Sequence, residues 1–268
     1  MYRITASALT AIALVNGPPA RAQAPSASPG SLKFEVASLK PSQPGSRGSP
    51  PRPAPGGERY VAANVTLKLL ISVAYRIKVD QVAGGPDWIN TGRYDLNAKA
   101  EKPSSTADLD LMLQDLLADR FKLKFHRETR ELPVYALTVD KGGPKLQPSQ
   151  AQSSGDPAIE YKQEQFLHMK LHARLVPMSY FAWRLGQSLD RPVIDLTKLE
   201  GIYDFDLAYT AELPPGIQEG ALLNGEPIDI SGPSIFEAVR KHLGLKLERQ
   251  KGPVEIIVVD HAEKAVEN

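Results

Sequence analysis

The sequence predicts an α+β protein made of repeated small strand-helix-strand-strand modules, with a helix-hairpin insertion and antiparallel or mixed sheets. The main observation is that GRYDLNAKA at residues 92–100 is echoed by GIYDFDLAY at residues 201–209. A helical pattern precedes each copy, 25 residues from Leu67 to Gly92 and 23 residues from Met178 to Gly201. Apolar residues make up 42% of the 268 residues, which is enough for a core.

The first 22 residues predict a secretory signal peptide. A short basic start is followed by an apolar stretch at residues 4–15, and Ala20 and Ala22 form an A-x-A cleavage pattern. We therefore expect cleavage near Ala22 and export to the periplasm or the extracellular space. No later stretch approaches the roughly 18 apolar residues of a membrane span.

Residues 23–57 predict a flexible tether with one strand and a loop rich in proline and glycine. The strand falls near residues 32–40, with Phe34 and Val36 on one face. Because proline and glycine are so frequent at residues 41–57, we expect no regular structure there.

Residues 58–148 predict the first module, with a helix and a hairpin. A short strand leads to Thr66, which fits an N-cap, and a helical apolar stripe follows it. After the strand that contains Tyr94, a second stripe predicts the strongest helix of the chain. Residues 121–139 then predict a hairpin that turns at residues 128–131. The second stripe consists of Leu109, Met112, Leu113, Leu116 and Leu117.

The same order of elements predicts further modules along the chain. After a linker at residues 149–165, a second module spans residues 166–212. A loop at residues 213–230 leads to a third, truncated module at residues 231–268. Register and the shared Tyr-Asp pair favour a true duplication of the first two modules, although the strand-helix-strand-strand order is also common by chance.

Three local signals define the third module. Ser234 and Glu237 have the spacing of a capping box, and Gly244 is placed to end the helix. Residues 251–253, Lys-Gly-Pro, predict a turn between two strands.

Charge and motif content exclude several classes of protein. The chain has no cysteine, which excludes disulfides and thiolate metal ligands. Its formal net charge of +1 becomes about −1 without Arg3 and Arg21, which argues against nucleic-acid binding. No nucleophile elbow, phosphate-binding loop, dinucleotide fingerprint, zinc-protease motif or EF-hand loop occurs. The sequence therefore predicts no cofactor and leans against enzymatic activity.

His126, Arg127, Glu128 and Arg130 form a dense polar cluster at the predicted hairpin tip. Such a cluster can bind an anionic group or activate a water molecule. The simpler interpretation is a solvated turn with cross-strand ion pairs. Trp88, on a predicted turn, either fills the core of its module or anchors a partner, and packing is favoured.

Two further constellations are weaker candidates. His168 and His172 have the spacing of a zinc pair on a helix, but a strand separates such residues by about 13 Å, so we predict no metal site. Asp95, Asp204 and Asp206 suggest paired acid-base carboxylates, yet their alternation with apolar residues predicts that they face away from the core.

Several segments together resemble an exported family, numerous in soil acidobacteria, that carries a conserved domain of unknown function. They include FEVASLKPS, QVAGGPDWINTGRYDLNAKA, LLADRFKLKFHRETRELPVYALTVDKGGPKL and SIFEAVRKHLGLKLERQKGPVEIIVVDH, and the likeness spans nearly all of the chain after residue 22. DLTKLEG stands where that family tends to have Thr-Gly-Leu. The segment at residues 64–77 is also similar to the short N-terminal domains of secretins and TonB-dependent receptors, which bind other proteins.

Two functional hypotheses follow. The first is a non-enzymatic exported protein that contacts another envelope protein through exposed strand edges. The second is an envelope hydrolase or small-ligand binder, which requires the cluster at His126, Arg127 and Glu128 to meet Asp95 and Asp204 in one pocket.

Overall fold

The first half of the chain forms a four-stranded antiparallel sheet and supplies one long strand to a second sheet. The computed structural model describes residues 32–150 and 155–265, so the predicted signal peptide lies outside the described residues. The sheet has the order β1-β5-β3-β2. The elements are β1 (Val36–Pro41), β2 (Ser49–Pro53), β3 (Arg59–Thr66), α1 (Leu67–Ala74), β4 (Val82–Gly84), α2 (Trp88–Thr91), β5 (Arg93–Lys99), α3 (Thr106–Arg120) and β6 (Lys124–Val139).

The second half repeats this arrangement. Its antiparallel sheet has the order β7-β11-β9-β8, which matches the first sheet strand for strand. The elements are β7 (Gln147–Pro148), β8 (Ala158–Gln163), β9 (His168–Val176), α4 (Met178–Ser188), β10 (Val193–Asp195), β11 (Tyr203–Thr210), β12 (Leu222–Leu223), β13 (Glu226–Pro227), α5 (Ile235–Ala238) and β14 (Leu245–His261). We name β1 to β6 the first repeat and β7 to β14 the second repeat.

The two repeats share a central sheet of order β10-β6-β14-β4. The long strands β6 and β14 pair antiparallel along almost their whole length. Each short strand pairs parallel with the long strand of the other repeat, β4 with β14 and β10 with β6. The mixed α+β class with antiparallel and mixed sheets is therefore confirmed.

Each repeat also completes the core of the other. Ile257 and Val259 of β14 are buried in the first core, beside α1 and α3. Leu137 of β6 is buried in the second core, beside α4 and α5. Since both strands run through both cores, we expect the two repeats to fold together.

Local sequence signals define the helix ends as predicted. The Thr66 side chain accepts a hydrogen bond from the Leu69 N–H at 3.1 Å and caps α1. Ser234 and Glu237 form the predicted capping box of α5. A short π-helical turn at Val239–Leu243 continues α5 and ends at Gly244, whose φ of 65° is left-handed. The predicted apolar stripe of α3 is buried.

The hairpin predicted at residues 121–139 is wrong, because β6 continues through residues 128–131 as one strand. The two strands predicted around residues 251–253 are likewise the single strand β14. The two segments that were expected to turn pair with each other across β6 and β14, with Glu131 opposite Pro253. The pairing partner of each segment lies more than 100 residues away, so the local pattern of polar residues, glycine and proline was misleading. Of the predicted third module, the described residues 231–265 thus contribute helix α5 with its π-helical turn and the strand β14 to the second repeat.

Two expectations for the N-terminal part also need correction. Strand β2 lies inside residues 41–57, where we expected no regular structure. It is an edge strand, and proline is tolerated there because an edge lacks part of the hydrogen-bond ladder. Val36 does not share the inner face with Phe34: it is 63% exposed, whereas Phe34 packs on the first core.

Candidate functional site

The cluster predicted at a hairpin tip lies on strand β6. His126 Nδ1 lies 2.8 Å from a carboxylate oxygen of Asp260, and His126 Nε2 lies 3.2 Å from one of Glu128. Arg130 donates hydrogen bonds to Glu128 at 2.6 and 2.9 Å. The hydrogen bond with Glu128, and then that with Asp260, raises the pKa of His126. These exposed side chains pair with one another, and a ligand-binding role for them stays a prediction.

Arg127 and Trp88 are engaged elsewhere. Arg127 forms an ion pair with Glu255 on β14, and its guanidinium lies 5.6 Å from the centre of the Tyr75 ring. Trp88 stacks on Phe121 with ring centres 6.1 Å apart and packs against the first core. The packing interpretation of Trp88 agrees with these contacts.

Asp95 and Asp204 occupy equivalent positions in the two repeats. Asp95 accepts hydrogen bonds from the Ser42 hydroxyl at 2.6 Å and from the Asn64 N–H at 2.9 Å. Asp204 accepts from the Ser149 hydroxyl at 2.7 Å and from the Leu175 N–H at 2.7 Å.

These carboxylates hold two equivalent β-bulges. Asn64 and Leu175 have left-handed φ values of 53° and 55°, and the strand register shifts at both positions. The hydrogen bonds with Ser42 and Asn64 lower the pKa of Asp95, and those with Leu175 and Ser149 lower the pKa of Asp204. The repeated Tyr-Asp pair therefore stabilises the fold.

The hydrolase hypothesis requires groups that the structure leaves apart. Asp95, Asp204 and the His126 cluster lie in three different sheets. Among the described residues, no hydrogen bond joins any one of these groups to another. Their side chains have local partners instead, so the required convergence on one pocket is not observed.

His168 and His172 lie on strand β9, as predicted. His168 lies 3.1 Å from Asp229, and His172 lies 2.8 Å from Asp206, so each histidine faces a separate acidic partner. Within residues 32–150 and 155–265, no group of three or more His, Asp or Glu side chains is arranged to hold a metal ion.

A cleft of about 490 Å³ opens in the second repeat, between the end of its sheet, the end of α4 and the start of α5. Its volume lies in the range of ligand pockets, about 300–1,000 Å³. One wall is the chain at residues 211–215, and Asp190, Glu212 and Arg249 are its charged lining residues. Aromatic and aliphatic side chains form the floor and include Tyr135, Tyr161, Leu185, Tyr209, Ile235 and Phe236.

Two tyrosines of the cleft, Tyr161 and Tyr209, have raised pKa values. Burial, with a smaller effect of the neighbouring Tyr161, raises the pKa of Tyr209 to about 12. Burial also raises the pKa of Tyr161, against the lowering effect of Arg184. Protonated phenols on an apolar floor suit a ligand with one apolar side and a few acceptors.

Of the charged residues that line the cleft, Asp190 has an ion-pair partner, whereas Arg249 has none among the described residues. Asp190 forms an ion pair with Arg191 at 2.8 Å, and this contact lowers the pKa of Asp190. Arg249 is exposed, and its guanidinium lies 6.0 Å from the centre of the Tyr135 ring. Arg249 lines the cleft, and no ion pair joins it to another described residue, so its charge is not neutralised by an ion pair there.

The cleft exists because the second repeat has a shorter helix. Lys122 and Gly244 both have left-handed φ values, and each lies just before a long strand. When the two repeats are aligned at these residues, Leu113 of α3 corresponds to Ile235 of α5. Helix α3 begins at Thr106, whereas α5 begins at Ile235, a difference of about two turns. In the first repeat those turns bury Leu109 and Met112, and in the second repeat that region stays open.

The cleft was not predicted from the sequence, although the sequence contains a signal for it. The shared pattern of FKLKF at residues 121–125 and LGLKL at residues 243–247 would have aligned the ends of the two helices. The capping box at Ser234 would then have shown how late α5 begins. Grouping residues 231–268 as a separate module hid this comparison.

The described residues thus define an α+β protein in which two repeats share a central sheet and an aromatic cleft lies in the second repeat. Residues 68–262 match the family described as "Protein of unknown function (DUF3738)", and the chain belongs to that family. No curated protein and no solved structure matches the chain. The part of the chain that the structure describes contains no helix of sufficient length and apolarity to cross a membrane.

Proposed function

We propose that this is an exported, non-enzymatic protein that binds another envelope protein through the cleft of the second repeat. The supporting observation is a cleft with an apolar aromatic floor, protonated tyrosines and one unneutralised arginine. Aromatic and arginine side chains are enriched at the centres of protein interfaces. Export is supported by the signal-peptide pattern at residues 1–22.

The lining favours binding over catalysis. The Ser234 hydroxyl is engaged with Glu237 in the capping box of α5. Asp190 is engaged with Arg191, and no histidine or lysine lines the cleft. The Ser234 and Asp190 side chains thus have structural partners, and we propose no nucleophile in the cleft.

Capture from envelope extract under crosslinking tests this function. Residues 23–268 serve as bait, beside a Ser188→Trp variant that fills the cleft. Ser179→Trp is the matched control, because Ser179 is exposed on the same helix and does not line the cleft. We expect a specific partner that Ser188→Trp loses and Ser179→Trp keeps. Recovery of no partner, or equal recovery by both variants, would contradict the proposal.

A further inference from the structure

The first repeat shows what fills the space that is open in the second. The first two turns of α3 bury Leu109, which is 1% exposed, and Met112, which is 5% exposed. These residues lie three positions apart on one helical face. Asp110, beside them, accepts hydrogen bonds from Arg76 at 2.9 Å and from Tyr60 at 3.3 Å. A helix end with two buried apolar residues and a buried acidic residue, Asp110, is therefore the first repeat's own occupant of this space.

The second repeat presents a matching but wider surface. Alignment through the Tyr-Asp pair and the helix starts places Tyr209 opposite Ala100 and Leu185 opposite Ala74. Ala100 and Ala74 belong to the core that α3 completes. Their larger counterparts occupy part of the space and leave about 490 Å³ open.

We propose that the cleft receives the first two turns of an amphipathic helix from the partner protein, with apolar side chains three or four residues apart on its floor. This inference rests on the proposed function and specifies the class of partner. It also requires a carboxylate on the bound helix near Arg249, because that guanidinium has no ion pair among the described residues.

The charge at the other side of the cleft fits the direction of this helix. Residues 210–214 correspond to residues 101–105, which precede α3, so the segment with Glu212 lies where the bound helix begins. Acidic groups stabilise helix starts. An acidic group does lie at the start of α3, since Asp156, between β7 and β8, accepts a hydrogen bond from the Thr106 N–H at 2.5 Å.

Selection from a random library of displayed 12-residue peptides tests the inference, with residues 23–268 as the target. We expect enriched peptides with apolar residues at i and i+3 or i+4 and an acidic residue, and a helical bound form by transferred NOE. Ser188→Trp should weaken binding more than about tenfold, and Ser179→Trp should not. Arg249→Glu should weaken the binding of acidic peptides about tenfold, which corresponds to 1.4 kcal/mol. Arg52→Glu on the first repeat should leave their affinity unchanged.

The helix proposal would be overturned if the enriched peptides bound in an extended form. It would also be overturned if Ser188→Trp weakened the binding of none of them. The proposed function is judged separately by capture from extract. If a partner is captured through the cleft but selected peptides bind as strands, the helix inference fails and the binding function stands. If neither experiment detects cleft-dependent binding, both fail.

Discussion

The carboxylate of Asp204 accepts a hydrogen bond from the backbone N–H of Leu175 at 2.7 Å and so holds a left-handed residue inside a strand. Asp95 and Asn64 make the same contact at 2.9 Å in the first repeat. A left-handed non-glycine residue costs on the order of 1–3 kcal/mol and persists only when its surroundings fix it. The aspartates provide this constraint, which explains why the Tyr-Asp pair occurs in both repeats.

Replacement of Asp204 by alanine should destabilise the protein by about 1–2 kcal/mol, because the Leu175 N–H loses its acceptor. Asp206→Ala is the control, since Asp206 lies on the same strand and makes only exposed ion pairs. We expect that control to cost less than about 0.5 kcal/mol. Urea denaturation measures both, and equal losses would contradict the role of the bulge.

Both bulge aspartates should make stability depend on acid pH. Their hydrogen bonds lower the pKa of each carboxyl in the folded protein. Their contribution is therefore fully present above the unfolded pKa of about 3.9 and is lost as the pH falls through the folded pKa. A variant with Asp95→Asn and Asp204→Asn should lose less stability than the parent between about pH 5 and pH 2. An equal loss of stability with falling pH in the parent and the variant would contradict a contribution of these two carboxyl groups.

Neither half of the chain should fold alone. A fragment of residues 32–150 lacks Ile257 and Val259 of its core and exposes Leu137, which belongs to the second core. We expect no cooperative unfolding transition for this fragment and a stable complex when it is produced together with residues 155–265. Circular dichroism and size-exclusion chromatography measure the two outcomes. A cooperative transition of the isolated fragment would show that the shared strands are dispensable.

The two helix ends should differ in how much a substitution changes stability. At Gly244, φ is 65° and an added Cβ would overlap the Gly143 carbonyl oxygen, so Gly244→Ala should cost about 1–3 kcal/mol. Lys122 has a φ of 48° at the equivalent place, and Lys122→Gly removes that strain. The latter should change stability by less than about 1 kcal/mol, since glycine also gains unfolded-state entropy. Thermal denaturation measures the stability of both variants. Similar losses of stability in the two would contradict the view that Lys122 and Gly244 occupy equivalent left-handed positions.

Arg76 neutralises a buried acid. Its guanidinium lies 2.9 Å from Asp110, whose side chain is 9% exposed. Arg76→Met should cost about 3 kcal/mol, because it leaves that carboxylate unpaired. Arg76→Met with Asp110→Leu should recover most of the loss, as measured by urea denaturation. A double variant as unstable as the single one would show that the ion pair is not the cause.

The loss in Arg76→Met should shrink at lower pH. Burial raises the pKa of Asp110 and Arg76 lowers it, so removal of Arg76 raises that pKa further. A raised folded pKa means that the folded state binds the proton more tightly, and stability then falls as the pH rises through that range. We expect a smaller deficit at about pH 5 than at pH 7. An equal deficit at both pH values would exclude this electrostatic explanation.

Local patterns were sufficient for the helices α1, α3, α4 and α5, for the caps at Thr66 and Ser234, and for the strands that carry the Tyr-Asp pairs, whereas α2 was expected to be a turn. The long strands were predicted wrongly because Glu131 and Pro253 pair with each other across the molecule, and no local pattern encodes that contact. The cleft was missed for a related reason. It results from the difference in length between α3 and α5, which becomes visible only when the two repeats are aligned at Lys122 and Gly244.

Photo-crosslinking from the cleft tests the binding function most directly. A photoreactive phenylalanine analogue replaces Phe236, which lines the cleft, or its counterpart Gln114 in the first repeat, where α3 already fills the space. After irradiation in envelope extract, we predict one specific crosslinked protein from position 236 and none from position 114. The same product from both positions, or none from position 236, would contradict a binding site in the cleft.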